Sequence, residues 1–120
     1  MTLRYLLDEH VPRALALAIR QHDPAIVVWR IGQPGAPPIE TADPDLRLWC
    51  EQQDFVLVTN NRATMPQHLA AHLADGRHIP GILIINLLLG RVTTAEELWL
   101  AAHYSLPDEY RDQIRYLPLS

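Results

Sequence analysis

Apolar residues fall in short blocks separated by polar stretches that carry Pro and Gly. Leu3 to Leu7 is a brief apolar run that reads as a buried strand. The stretch "DEHVP" ends it, and Pro12 suits the first turn of a helix. In "RALALAIRQH", Leu15, Ala18, Ile19 and His22 share one face at three- and four-residue spacing. The β-branched "AIVVWRI" predicts a second strand. "GQPGAPPIETA" follows as a long Gly- and Pro-rich loop.

Asp43 or Thr41 is placed to cap the next helix, "DPDLRLWCEQQ", with Pro44 at its first position. "FVLVT" is the clearest strand, apolar and bounded by polar sequence. "NNRATMPQHLAAHLAD" reads as a polar loop and then a helix from near Pro66 to just before Gly76. "GILIINLLL" predicts a fourth strand running to Gly90. The Thr94 to Glu97 capping-box spacing predicts the start of a helix over "TTAEELWLAAHYSL". The tail "QIRYLPL" fits a fifth, edge strand, where Pro118 is tolerated. Strands and helices alternate, and the strands are apolar throughout. That pattern predicts an α/β fold of three layers, α/β/α, with a mostly parallel sheet of four to five strands. Neither a repeat nor a domain boundary interrupts it, so residues 1–120 read as one domain.

Composition narrows the chemistry. All ten basic residues are Arg, and lysine is absent. Schiff-base chemistry, the P-loop lysine and kinase-type phosphate anchoring are thereby excluded. Receiver domains also carry acids after their first strand, but they depend on a lysine near the end of the fold. The single Cys50 forbids an internal disulfide and any multi-cysteine zinc site. Apolar runs stay short of the roughly 18–20 residues that cross a bilayer. The acids in "MTLRYLLDEH" break up what a signal peptide would need. The expectation is a cytoplasmic protein with no membrane contact. A formal net charge of −4 disfavours nucleic-acid binding by phosphate neutralisation alone, while leaving room for a local basic patch.

In a parallel sheet, ligands bind outside the carboxyl ends of the strands. Asp8, Glu9 and His10 follow the first strand, and the Gly/Pro loop leads to Asp43 and Asp45. Thr59, Asn60, Asn61 and Arg62 follow the third strand, and Asn86 the fourth. Oxygen ligands gathered at one edge suit Mg²⁺ or Mn²⁺. The plainer reading makes Asp8 and Glu9 a solvated strand end and Asp43 a helix cap only.

The strings "LLDEHVPRAL", "GAPPIETADPDL", "VLVTNNRATMPQHLAAHL" and "PGILII", in that order, resemble a small prokaryotic PIN-like family related to PIN nucleases and VapC-type toxins. The resemblance covers roughly residues 3–90. It implies a PIN-like parallel sheet with acids at one edge that hold Mg or Mn for cleavage of single-stranded RNA. It also implies a small antitoxin protein as a partner and a homodimer as a common state. Asp8 matches the acid after the first strand, and Asp43 the acid that opens the helix after the Gly/Pro loop. Thr59 matches the threonine of a Thr-x-Asp motif, and Thr64 and Met65 match a downstream Thr-Met pair.

Asn61 falls where that motif has its aspartate. An asparagine supplies one neutral carbonyl oxygen, carries no charge and cannot act as a base. Two readings follow. One is a metal-dependent ribonuclease, with Asp8, Asp43 and Asn61 as ligands, Thr59 orienting a water or ligand, and Glu9 or Asp45 completing the shell. In it Arg62 or His68 contacts a phosphate. The other is a catalytically degenerate PIN-like domain that binds a protein or nucleic acid without cleavage.

His68 and His72 lie four apart and share a helix face. A zinc site there would need Asp75 or His78 as a third ligand, and a solvated face is the simpler expectation. Trp29, Trp49 and Trp99 read as core or interface residues, Cys50 as a buried small hydrophobe, and Asp54 as structural.

Overall fold

The computed structural model describes residues 2–119. Its strands are β1 (Tyr5–Leu7), β2 (Val28–Arg30), β3 (Val56–Thr59), β4 (Ile82–Ile84) and β5 (Ile114–Tyr116). Its helices are α1 (Arg13–His22), α2 (Asp43–Gln53), α3 (Met65–Ala74) and α4 (Arg91–Tyr104). All five strands are parallel, in the order β2-β1-β3-β4-β5. The fold is the three-layer α/β/α arrangement expected from the alternation of elements. The described helices include none that is long and apolar enough to cross a membrane.

Two hydrophobic clusters lie on opposite faces of the sheet. Tyr5, Leu7, Val56, Val58 and Leu83 point to one face and pack beneath α1 and α4 through Leu15, Ile19, Leu98 and Ala102. Leu6, Leu57, Ile82 and Ile84 point to the other and meet Leu46, Cys50 and Leu69 of α2 and α3. Strands buried on both faces need apolar residues at every position, which is why their sequences do not alternate. The Tyr5 hydroxyl donates to the Leu98 carbonyl at 2.7 Å and ties β1 to α4.

The crossovers carry an asymmetry. The β3–α3–β4 and β4–α4–β5 connections step in the same direction, yet α3 and α4 cover opposite faces. The last crossover therefore has the opposite hand to the one before it, against the strong right-handed rule for such units. Its effect is to bring a second helix to the face that α1 alone would leave half bare.

Several local expectations are corrected. β4 ends at Ile84, not near Leu89. The Asn86 side chain accepts from Leu88 N at 2.9 Å and caps a 3₁₀ turn over Leu87–Leu89 instead. Helix α4 begins at Arg91, so Thr94 is already inside it. The Thr94 hydroxyl donates to the Gly90 carbonyl at 2.7 Å rather than forming a capping box. Ala42 is the N-cap of α2; Asp43 is its first residue, and the Thr41 hydroxyl turns back to the Pro38 carbonyl. On α1, Ala16 joins the buried stripe and His22 is exposed. Gly81 has φ +155°, and a Cβ there would stand 2.8 Å from Tyr110 Cβ, so only glycine lets the loop before β5 close on β4.

Candidate functional site at the carboxyl edge

The order β2-β1-β3-β4-β5 puts the reversal of strand order between β1 and β3, the point at which doubly wound sheets bind ligands. Asp8 and Thr59 flank that point. Asp8 N donates to the Val58 carbonyl at 2.9 Å, extending the strand pairing by one residue. The Thr59 hydroxyl donates to Asp8 Oδ2 at 2.8 Å, and Glu9 N donates to Asp8 Oδ1 at 2.7 Å. Thr59 is fully buried, which leaves its hydroxyl dependent on these partners. Asn61 N in turn donates to Thr59 Oγ1 at 3.1 Å. The Asn61 amide is committed to its own loop: Nδ2 donates to Thr64 Oγ1 at 2.7 Å and Oδ1 accepts from Thr64 N at 3.2 Å. Glu9 Oε1 accepts from Glu40 N at 3.3 Å, drawing the Gly/Pro loop against the end of β1.

Asp43 belongs to a second group. Its Oδ2 is buried, 2.6 Å from Arg47 Nη1 and 3.2 Å from His68 Nδ1. The Arg47 contact is ionic, and neither contact lies along the line of a hydrogen bond. Arg47 Nη1 donates to the His68 carbonyl at 2.6 Å, and the Arg47 side chain is only 6% exposed. The Asp43 charge also reaches inward. With burial as the larger cause, it helps push the Cys50 thiol up to about 12. Asp45 is exposed.

The sequence-predicted residues thus fall into three sets. Asp8, Thr59 and Asn61 are brought together. Asp43 and His68 meet each other through α2 and α3, and no hydrogen bond or ion pair among the described residues joins them to Asp8. Arg62 stands over the ring of Tyr116, its Cζ 5.4 Å from the centroid. The solvated face expected for His68 and His72 is corrected: both turn toward α2. His72 is 3% exposed, and its Nε2 faces Glu51 Oε1 and the His78 carbonyl, each at 2.9 Å. Since both partners are acceptors, Nε2 carries a proton. The His78 ring goes to Asp112 Oδ2 at 2.7 Å, and among the described residues no third His, Cys, Asp or Glu gathers with His68 and His72.

Sequence reasoning missed Arg47, Tyr116 and Glu51. Arg47 left a signal, since Asp and Arg four apart on a helix are paired neighbours. Tyr116 left none, because only strand register shows what lies beside it.

Charge is unevenly divided between the two ends of the sheet. Acids outnumber arginines at the amino end, where Asp23, Glu51, Asp54, Asp75, Asp108, Glu109 and Asp112 face Arg4, Arg20, Arg77 and Arg111. The carboxyl end is balanced, with Arg13, Arg30, Arg47, Arg62 and Arg91 against Asp8, Glu9, Glu40, Asp43 and Asp45.

A divalent cation at the carboxyl edge would need several anionic or carbonyl oxygens free to converge. As folded, each Asp8 oxygen already accepts a hydrogen bond, from Glu9 N and from the Thr59 hydroxyl. The Asp43 charge is met by Arg47, and the Asn61 oxygen is spent on Thr64 N. The described residues contain no group of three or more His, Cys, Asp or Glu gathered to hold a metal. The residues do not fit a resident Mg²⁺ or Mn²⁺ in this arrangement.

Comparison with protein-family profiles, curated proteins and solved structures finds no match to this chain.

Proposed function

We propose that this chain is a PIN-like domain that binds a nucleic-acid or protein partner at the carboxyl edge of its sheet without cutting it. The observation that carries this reading is the Arg47 guanidinium 2.6 Å from Asp43 Oδ2. A buried arginine supplies the positive charge that a metal would otherwise bring, at the acid the family resemblance assigns to metal. Asn61 works in the same direction, since its neutral amide is engaged by Thr64. What remains at this edge is one partly buried acid, a buried threonine and the exposed Arg62 on the loop that follows, which suits recognition.

A second reading keeps the metal-dependent ribonuclease, as the toxin of a toxin–antitoxin pair. One observation favours it: Asp8, Thr59 and Asn61 lie side by side, as the resemblance implies. It requires Asp43 to leave Arg47 and His68 before any ion could use it.

Calorimetric titration with Mn²⁺ and a cleavage assay on single-stranded RNA separate the two. The expected result is neither metal binding nor cleavage above that of Asp8→Asn, together with a recovered partner whose binding survives Asp8→Asn. Mn²⁺-dependent cleavage by the natural chain that Asp8→Asn abolishes overturns the proposal and establishes the second reading. Asn61→Asp adds a control: a large gain of cleavage means that the missing acid alone holds the activity back.

A further inference from the structure

Tyr116 is the last residue of β5, on the outer strand of the sheet, and it is 44% exposed. An aromatic ring left in water at a strand end contributes little to the core. Its position is nevertheless set by the sheet. Thr59 pairs with Ile84, and Ile84 pairs with Tyr116. Directly paired residues of parallel strands project from the same face. Ile84 is buried beneath α2 and α3, so Thr59 and Tyr116 lie on that side too, at the carboxyl edge. Strand spacing of about 4.8 Å puts their backbones roughly 10 Å apart, with Asp8 one strand further.

Arg62 extends from the loop after β3 across β4 and lies over the Tyr116 ring. It is exposed and makes no ion pair among the described residues, so its charge is not already used. An exposed arginine over an exposed tyrosine offers two contacts in one place. The ring accepts the face of a base, and the guanidinium accepts a phosphate or a second base face. The excess of acids lies at the other end of the sheet, so the carboxyl edge itself carries no net formal charge.

We propose that Tyr116 and Arg62 form a base-stacking platform for single-stranded nucleic acid, two strands from the Asp8–Thr59 pair. This rests on the nucleic-acid form of the function proposed above and names its ligand class. A single strand is required because stacking on a side chain needs a base whose face is free, which a duplex does not offer.

The test is fluorescence anisotropy with labelled 12-nucleotide RNA and DNA of the same mixed sequence, at two salt concentrations. Four proteins are compared: the natural chain, Tyr116→Phe, Tyr116→Ala and Arg62→Ala. Tyr116→Ala should raise Kd about 5- to 150-fold, the range expected for loss of one stacked base, while Tyr116→Phe stays near the natural value. Arg62→Ala should weaken binding and reduce the salt slope by about 0.7, the share of one phosphate on a single strand. Weaker binding of DNA than of RNA assigns the natural ligand to RNA, and equal binding assigns the site to either strand. Thermal melts of the variants should match the natural chain, because the ring is exposed. If the natural chain binds the strands and Tyr116→Ala binds equally well, the platform is refuted while the function above stands. If the natural chain binds neither strand, the platform and the nucleic-acid reading fall together, and a protein partner is left.

Discussion

Arg47 Nη1 stands 2.6 Å from Asp43 Oδ2, one helical turn along α2, and the same nitrogen donates to the carbonyl of His68 on α3. The arginine therefore does two things at once. It neutralises an acid in the first turn of α2, and it fastens α2 to α3. Asp43 also suits the positive end of the helix in which it sits. Its role as folded is that of an internal anchor.

Removing either charge should destabilise the protein. Asp43→Asn leaves the nearly buried Arg47 without its anion, and Arg47→Met leaves a buried Asp43 oxygen without its cation. Each is expected to cost about 1–3 kcal/mol, the usual penalty for an unsatisfied buried polar group. The double variant should cost less than the two singles together, because both charges leave as a pair. Urea unfolding followed by circular dichroism measures all three. Full additivity would show that the two side chains do not interact.

Acid should loosen the molecule at two aspartates. Asp23 is held below the ordinary aspartate range by the Ala25 amide first, then by His103 and the Trp99 indole. Burial alone would raise Asp112, but its bonds to His78 and Ile79 N outweigh that and hold it low as well. A carboxyl lowered by folding adds stability above its unfolded pKa, and that stability is lost as pH falls through the folded value. Stability should therefore fall below about pH 4. Asp23→Asn should flatten part of that fall, as read from thermal midpoints across pH 2–6. An unchanged acid limb in that variant would show that Asp23 carries none of the effect.

Cys50 should be chemically silent in the folded protein. Burial, reinforced by the Asp43 charge, keeps its thiol protonated, and the thiolate is the reactive form. A thiol reagent at pH 8 should label it only after denaturant is added. Rapid labelling of the native chain would mean that α2 lifts from the sheet.

The alternation of apolar strands with helix-forming segments was enough to specify a three-layer α/β/α fold, because strands covered on both sides must be apolar at every position. The polar residues after those strands were legible for the same reason: chain order alone puts Asp8, Thr59 and Asn61 at strand ends. Local boundaries were less legible. "NLLL" continues an apolar run, but Asn86 folds back to cap a turn, a competition between side chain and backbone that composition does not reveal. Thr94 has capping-box spacing, yet α4 starts three residues earlier at Arg91.

Tertiary structure alone decided what each candidate touches. Strand order made Asp8 the neighbour of Thr59, across 51 positions of sequence. Register carried Tyr116 into the row of Thr59 and beneath Arg62. Helix packing turned Asp43 toward Arg47 and His68. The periodicity of a chain reports which residues leave water, since burial depends on one residue and its face. Partnership between charges depends on two residues and on the packing that sets their distance, and that is decided only when the layers close.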